Sequence, residues 1–452
     1  MKLPAGTPLT VSLRFSESQR IPVGRMAMDR DATILEYDPA FIASGFTLNP
    51  LLAPPGQEPL VPKNPRVFDG LPGILADSLP DSWGELLVQR RAQRANFSYA
   101  SLTALDKLAI VGERGMGALT FTPAQVAPPV SGAIDLDLIA RESIELLEGY
   151  ASDITALLDR LGGSSGGTRP KILIAMNEKG HIVAGDGDIP EGYDAWLVKF
   201  RSSHHDLKDA GPVEAAYADM ARSCGIAFSE TRVFQGKPYG YFGTRRFDRP
   251  TSGERLHVAS VAALLDMDWR VPADYTDLLK VVRVMTRDQQ AVTQAYRRAV
   301  FNVLTHNRDD HVKQHGFLMN ASGEWRLAPA YDLVFSRGPG GEHYLAIGGR
   351  GGDDIRRQDI VKLGTDQGIA KTLCEEIIEQ VADNVRELPN FARPYGVSPQ
   401  TLRDIRLASD AILMQITGHG TQGIGQTGEA ERAVAADDRH GKARKRPDTR
   451  SR

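Results

Sequence analysis

The spacing of apolar residues changes near Val258, and this change limits the folds open to the chain. From Thr7 to Phe121 the apolar residues lie in short alternating segments separated by Gly and Pro, which is typical of β-strands. After Val258 apolar residues recur at helical spacing over five segments: 258–265, 275–285, 287–304, 369–388 and 399–416. The sequence therefore predicts an α+β fold with a β-rich N-terminal subdomain and an all-helical C-terminal lobe.

The region between these parts mixes both patterns. Helical spacing predicts one long or broken helix over 136–161, which Gly162 and Gly163 end. A second helix is predicted over 213–224, and short apolar runs predict strands over 171–176, 181–184, 195–200, 231–234 and 239–247. We therefore divide the chain into a β-rich subdomain (1–125), a small lobe (126–250), a helical lobe (251–417) and a tail (418–452).

Composition argues against several classes of protein. The net charge is only −3, so the molecule as a whole has no field that attracts nucleic acid or an anionic membrane. Cys224 and Cys374 lack the spacing of a zinc site or a disulfide framework, and no apolar run reaches the roughly 18 residues of a membrane span. We expect a cytoplasmic protein with no membrane partner. The tail is polar with a basic end and is predicted to be disordered; an arm that touches nucleic acid is the alternative.

The segment from His306 to His315 carries the strongest chemical signal. Every residue in it except Val312 is polar, and it directly follows the helix predicted over 287–304. The catalytic loop of a protein kinase places an Asp base five residues before an amide metal ligand. Asp309 and Gln314 have this spacing. We therefore predict that Asp309 is the catalytic base and that Gln314 contacts magnesium.

Asp332 follows this loop at the distance expected of a second metal ligand. It comes after two predicted strands, over 316–319 and 325–327. In kinases an Asp at this point connects magnesium to the β- and γ-phosphates. Taken alone, Asp332 is better explained by a turn or a helix cap, but its pairing with the loop at 306–315 favours the metal.

Two upstream features complete the order of parts found in kinases. Gly162 to Lys171 is a glycine-rich loop before a strand, suited to phosphate contact, although a flexible turn explains it as well. Lys199 ends the strand predicted over 195–200, and Glu214 begins the next helix. A kinase pairs such a lysine with a helix glutamate beside the phosphates of ATP.

Motifs along nearly the whole ordered chain resemble those of the HipA family, the toxin kinases of bacterial HipA–HipB toxin–antitoxin modules. In the N-terminal part these motifs are 23–25 (VGR), 35–38 (LEYD), 68–72 (FDGLP) and 78–84 (SLPDSWG). Further along they are 214–226 (E-x6-A-x3-G-I), 246–249 (RFDR), 307–316 (N-x-D-D-H-x-K-x-H-G) and 329–332 (P-x-Y-D). The resemblance implies a two-lobe kinase fold and an ATP- and magnesium-dependent serine/threonine protein kinase.

The resemblance also implies site residues. Those at the nucleotide are Gly166, Gly167, Thr168, Arg169, Pro170, Lys171, Lys199, Glu214, Arg245, Arg246, Phe247, His311, Lys313 and Tyr331, with the adenine held through backbone groups of 245–247. Ser164 or Ser165 is implied as a site of autophosphorylation. A phosphate there adds roughly −1.5 to −2 charges, and we expect it to expel the loop from ATP.

Two residues depart from the family pattern. Gln314 stands where Asn is usual, which puts full activity in doubt, and Arg245 stands where Glu is common. The implied partners are a HipB-like helix-turn-helix antitoxin, operator DNA mainly through that antitoxin, and a protein substrate, which is an aminoacyl-tRNA synthetase in well-known members. Two alternatives remain: a non-catalytic kinase-like antitoxin or DNA co-repressor, and a small-molecule or lipid phosphotransferase.

Overall fold

The computed structural model describes residues 2–125, 134–150, 156–162, 167–202, 206–237 and 239–418. These residues form a mixed fold of sheets and helices, which confirms the predicted α+β class. No helix within these ranges is long and apolar enough to cross a lipid bilayer. The tail beyond Gly418 lies outside the described residues, so its predicted disorder stays a prediction.

The N-terminal subdomain is built around an antiparallel four-stranded sheet. Its strands are β1 (Leu9–Arg14), β2 (Arg20–Asp29), β3 (Ala32–Tyr37) and β4 (Leu119–Thr122), in the order β3-β2-β1-β4. Four helices lie between β3 and β4: α1 (Pro39–Ser44), α2 (Gly73–Ala76), α3 (Ser82–Arg94) and α4 (Ala104–Val111). These four helices correct the expectation of short strands throughout 7–121. In α4 all eight residues are buried, which leaves no polar face for a helical pattern to show.

The small lobe contains a five-stranded antiparallel sheet. Its strands are β5 (Lys171–Asn177), β6 (Ile182–Ala184), β7 (Tyr193–Lys199), β8 (Thr231–Phe234) and β9 (Tyr241–Arg245), in the order β6-β5-β7-β9-β8. Its helices are α5 (Leu136–Leu147), α6 (Ala156–Leu161) and α7 (Ala210–Ser223). The register of β5 against β7 places Lys171 opposite Lys199, so both lysines lie at the same end of the sheet.

The C-terminal lobe is mainly helical but not entirely so, which corrects the expectation of an all-helical lobe. Its helices are α8 (Val261–Leu265), α9 (Tyr275–Thr286), α10 (Gln289–Leu304), α11 (Arg357–Asp366), α12 (Lys371–Arg386), α13 (Leu388–Ala392) and α14 (Pro399–Thr417). The lobe also holds β10 (His257–Ser260), β11 (Ala273–Asp274), β12 (Gly316–Met319), β13 (Trp325–Leu327) and β14 (Leu345–Ala346), in two small sheets. Helix α8 starts later than predicted because the Ser260 side chain caps it by accepting the Ala263 N–H.

The N-terminal subdomain packs on both lobes. Leu9 and Phe121 of its sheet share one apolar core with Phe301 and Ile378 of the C-terminal lobe. Trp83, on α3, belongs instead to the core of the small lobe. The loop that leads into α3 is therefore held between the two lobes.

Buried polar contacts fix this docking. Asn49 donates its Nδ2 to the carbonyl oxygen of Leu264 at 2.9 Å. Asp77 accepts both the N–H of Ser260, at 2.6 Å, and its hydroxyl, at 2.9 Å. Because such contacts are directional, they set the orientation that the apolar core alone would leave open.

Two buried histidines remain neutral in the fold. His257 is 1% exposed and His315 is 3% exposed, and burial lowers the pKa of each imidazole to about 3. Both ring nitrogens of His257 lack a hydrogen-bond partner among the described residues. Protonating either ring inside the fold would therefore bury an uncompensated charge.

We predict that the free energy of unfolding falls as pH drops below about 6.5. An unfolded histidine binds a proton near its ordinary pKa of 6.5, whereas these two in the fold do not until about pH 3. The unfolded state therefore gains protons first, and each residue costs roughly 1 kcal/mol per pH unit across that window. Urea titrations at pH 7 and pH 5 measure the slope.

The variant His257→Phe should make the loss between pH 7 and pH 5 smaller than in the wild type. The matched control is His181→Phe, since His181 is exposed on the turn of the β5–β6 hairpin. An equal loss in the wild type and in His257→Phe would contradict the assignment.

Candidate active site

The loop from His306 to His315 leaves the end of α10 through a turn. His306 has a left-handed φ of 57°, which directs the chain away from the helix axis. The N–H of Arg308 then donates to the Ser336 carbonyl at 3.2 Å, and the N–H of Ser336 donates to the His306 carbonyl at 3.0 Å. The segment around Ser336 therefore holds the start of the loop in place.

Asp310 anchors the middle of the loop. Its side chain is fully buried and accepts the hydroxyl of Tyr275 at 2.7 Å, Nδ1 of His343 at 2.9 Å and the N–H of Tyr344 at 3.0 Å. Burial alone would raise the pKa of this carboxyl, but His343 and these donors outweigh it and hold the pKa below its usual range. Asp310 is a structural residue that the sequence pattern did not single out.

Asp309, the predicted base, points the other way. Half of its side chain is exposed, at 51%. Partial burial, together with the nearby carboxylates of Asp332 and Asp310, raises its pKa to about 7. A carboxylate near neutrality is well matched to accepting a proton from a substrate hydroxyl.

Asp332 lies where the two lobes meet. It has a left-handed φ of 56°, and Lys199 forms an ion pair with its Oδ1. Gln314 donates its Nε2 to the other oxygen of Asp332 at 3.0 Å. Burial would raise the pKa of Asp332, but Lys199 and Lys171 keep it well below its usual range, so the carboxylate stays ionised.

Lys199 is held by the predicted helix glutamate. Its Nζ donates to Oε1 of Glu214, on α7, at 2.6 Å. Glu214 is 1% exposed and also lies 3.5 Å from a guanidinium nitrogen of Arg169, which in turn reaches Asp206 at 3.3 Å. The contact between Arg169 and Glu214 joins the end of the glycine-rich loop to α7.

The other described residues of the glycine-rich loop lie beside this cluster. Lys171 is 4% exposed, and burial together with Lys199 lowers its pKa to about 8. Gly167 has a φ of 101°, a backbone conformation that L side chains rarely adopt, so the position favours glycine. Thr168 is exposed, and the carbonyl of Pro170 accepts the N–H of Phe200 at 2.8 Å. Gly166, Ser164 and Ser165 lie outside the described residues.

Lys313 contacts a residue that the sequence reasoning missed. Its Nζ donates to Oδ2 of Asp81, in the N-terminal subdomain, at 2.7 Å. The other oxygen of Asp81 accepts the N–H of Gly167 at 2.5 Å. The motif SLPDSWG at 78–84 was a signal for this contact, but nothing in the sequence linked it to the lysine.

The hinge residues have separate roles. The side chain of Arg245 forms an ion pair with Asp194 and lies on the surface, whereas that of Arg246 is buried and pairs with Asp248 at 2.8 Å. The N–H groups of Arg245 and Arg246 donate to the carbonyls of Glu230 and Ala195. An adenine contact through these two residues would therefore have to use their carbonyl oxygens.

Aromatic rings complete the site on both sides. Phe247 packs against Tyr331 with ring centroids 5.8 Å apart, and the hydroxyl of Tyr331 donates to the carbonyl of Lys313 at 2.9 Å. His311 packs against Trp269 at 4.5 Å, and its Nε2 lies 3.8 Å from Oδ1 of Asp309. Burial lowers the pKa of His311 to about 4, so its ring is neutral at neutral pH.

The residues present fit a magnesium–nucleotide complex. Within the described ranges no three His, Cys, Asp or Glu side chains form a ready-made metal cage. Magnesium in kinases needs few protein ligands, since phosphates and waters supply the rest. Asp332 offers carboxylate oxygens, whereas Gln314 directs its amide nitrogen at Asp332 and would have to turn to offer its oxygen.

A separate groove of about 940 Å³ lies along α11, α12 and α14. It is lined by both basic and acidic side chains, including Arg357, Lys371 and Glu375. None of the predicted site residues lines it. The residues suited to catalysis lie instead in the cleft between the lobes.

We predict that substitutions at the adjacent residues Asp309 and Asp310 separate function from stability. Asp310→Asn should lower the melting temperature strongly, because it removes a charge that His343, Tyr275 and the Tyr344 N–H stabilise; roughly 3 kcal/mol is expected for a broken buried pair. Asp309→Asn should leave the melting temperature unchanged or raise it slightly, because it relieves repulsion among carboxylates. Calorimetry of both variants measures the difference, and equal destabilisation would contradict the distinct roles.

Two protein-family models match parts of the chain. The family model described as the HipA-like C-terminal domain matches residues 163–388, and the HipA N-terminal domain matches residues 18–122. A search of curated proteins found no match.

Among solved structures, the HipA chain of the Shewanella oneidensis MR-1 HipA, HipB and operator DNA complex is similar in fold. It has a TM-score of 0.65 and 18% identity, with 90% of this chain and 96% of that chain covered. The proinflammatory kinase CtkA of Helicobacter pylori matches with a TM-score of 0.37 and 12% identity, over 60% of this chain and 94% of that one. The two family models together show that the chain belongs to the HipA family.

Proposed function

We propose that this protein is an ATP- and magnesium-dependent kinase that phosphorylates serine or threonine hydroxyls of a protein. The observation that carries the proposal is the cluster of Glu214, Lys199 and Asp332, joined by direct ion pairs beside the exposed carboxylate of Asp309. These are the groups that phosphoryl transfer needs: a phosphate-binding lysine, a metal ligand and a base. They come from both lobes, so the site exists only when the lobes meet.

Each group has a definite role in the proposed reaction. Lys199, held by Glu214, would contact the α- and β-phosphates of ATP, and Lys171 and the N–H groups of the glycine-rich loop would lie along them. Asp332 and Gln314 would hold magnesium, which neutralises charge that develops on the transferred phosphoryl group. Asp309 would orient the substrate hydroxyl and accept its proton. Ser164 or Ser165 would be the acceptor in autophosphorylation.

The proposed partners follow from the family and from the composition. The HipA structure similar in fold is a complex with HipB and operator DNA. We infer a HipB-like antitoxin as partner, so that the protein acts as the toxin of a toxin–antitoxin module. With a net charge of −3, this chain would reach operator DNA mainly through the antitoxin.

Incubation with labelled ATP and magnesium, with and without cell extract, tests the proposed activity. We predict self-labelling or a labelled protein band, and loss of both in Asp309→Asn and in Asp332→Asn, because one variant lacks the base and the other the metal ligand. The control is Asp277→Asn, since Asp277 is exposed on α9 and pairs only with Lys280 among the described contacts.

The products separate the proposed activity from its alternatives. A labelled small molecule would favour a small-molecule or lipid phosphotransferase. Wild-type protein that binds ATP but transfers nothing would favour a non-catalytic regulator. Normal transfer by either Asp variant would contradict the roles assigned above.

Gln314 allows a second test. The side-chain amide of Gln314 donates a hydrogen bond to Asp332, and it must turn away before its oxygen can contact a metal. The side chain of Asn is one methylene shorter, so it would form this hydrogen bond less readily. We predict that Gln314→Asn keeps or raises activity and lowers the magnesium concentration needed for half-maximal transfer. Gln314→Leu, similar in size but without an oxygen, is the control and should lose activity. A severe loss in Gln314→Asn would mean that the loop is built around the longer side chain.

A further inference from the structure

The carboxylate of Asp81 connects three parts of the molecule. Its Oδ1 accepts the N–H of Gly167 at 2.5 Å, and its Oδ2 accepts Nζ of Lys313 at 2.7 Å. Asp81 belongs to the N-terminal subdomain, Gly167 to the glycine-rich loop of the small lobe and Lys313 to the catalytic loop of the C-terminal lobe. Each carboxylate oxygen therefore accepts a hydrogen bond from a different lobe.

The side chain of Asp81 makes these two contacts and does not cap the helix that follows it. Asp81 directly precedes α3, where an Asp usually accepts an N–H of the first helical turn. Its side chain makes no such hydrogen bond here. The next residue, Ser82, has a φ of 29°, which is uncommon for a residue other than glycine. Asp81 therefore leaves α3 without a side-chain cap, and its carboxylate contacts the two lobes instead.

Trp83 holds the same loop segment through two hydrogen bonds to its carbonyl groups. Its N–H donates to the Gly167 carbonyl at 3.3 Å, and its indole Nε1 donates to the Lys171 carbonyl at 3.0 Å. The Trp83 side chain is 1% exposed, so it cannot move without disturbing the core of the small lobe. Asp81 and Trp83 together hold both ends of the segment from Gly167 to Lys171.

We propose that Asp81 is a positioning residue for nucleotide binding, which fixes Gly167 and Lys313 relative to each other. This inference rests on the proposed function, in which the glycine-rich loop binds the phosphates of ATP. The resemblance to the HipA family assigns both Gly167 and Lys313 to the nucleotide site. An ammonium group has three donors, so Lys313 can reach a phosphate oxygen while it keeps its contact with Asp81. The N-terminal subdomain thereby sets the geometry of the ATP site without touching ATP.

Amide hydrogen exchange of the nucleotide-free, full-length protein tests the contact itself. In Asp81→Ala the N–H of Gly167 loses its acceptor, and we predict exchange at Gly167 about tenfold faster than in the wild type. The matched control is Asp69→Asn, which removes a 2.5 Å ion pair with Lys107 in the same subdomain, and it should leave Gly167 unchanged. Unchanged exchange at Gly167 in Asp81→Ala, or equal acceleration throughout the chain, would overturn the proposal.

Calorimetric binding of a non-hydrolysable ATP analogue with magnesium tests the consequence. We expect Asp81→Ala and Lys313→Met each to weaken affinity about fivefold to tenfold, as for loss of a charge-assisted hydrogen bond. The loss in the double variant should be smaller than the sum of the two single losses, because both changes break the contact between Asp81 and Lys313, and only Asp81→Ala also releases Gly167. Asp81→Glu, which keeps the carboxylate, should recover part of the affinity, and fully additive losses would overturn the coupling.

Hydrogen exchange and nucleotide binding test two different claims. A wild-type protein that binds no nucleotide would remove the proposed function, whereas the exchange rate at Gly167 would still decide whether Asp81 holds the loop. Normal nucleotide affinity in Asp81→Ala would overturn the positioning role even where exchange at Gly167 is faster.

Discussion

The ion pair between Lys199 and Asp332 is the contact on which the arrangement of the site depends. Lys199 ends β7 in the small lobe, and Asp332 follows β13 in the C-terminal lobe, so the pair joins the two lobes across the cleft. Glu214 holds the lysine from the side of α7 at 2.6 Å. Because the carboxylates of Asp332 and Glu214 share one ammonium, a shift of either lobe would leave a charge without compensation in a partly desolvated site.

The catalytic loop shows how two adjacent residues of one type acquire opposite properties. Asp310 lies inward among Tyr275, His343 and backbone N–H groups, which stabilise its charge. Asp309 lies outward, and partial burial together with the nearby carboxylates of Asp332 and Asp310 raises its pKa to about 7. Asp310 thus orders the loop, and the ordered loop places the carboxylate of Asp309 where the lobes meet. A carboxylate with a raised pKa at such a position is suited to act as a base.

The N-terminal subdomain is part of the same structural unit as the lobes. It shares an apolar core with the C-terminal lobe, contributes Trp83 to the core of the small lobe and places Asp81 between Gly167 and Lys313. Hydrogen bonds such as those of Asp77 to Ser260 fix its position. The segment from Gly167 to Lys171 is therefore held by a subdomain that is distant in sequence.

The sequence by itself determined the class of fold, the family and the order of the chemical groups. Period-two and helical patterns located most strands and helices outside the N-terminal subdomain; they missed α1 to α4 and α11, and α4 has no polar face to reveal it. Local spacing singled out Asp309, Gln314 and Asp332 as candidates, since these residues lie on one short stretch of chain. Only the tertiary structure decided that Lys313 pairs with Asp81, that Asp310 is an anchor and that the amide of Gln314 faces Asp332. Those contacts join residues far apart in sequence or depend on which way a side chain turns, and periodicity carries no information about either.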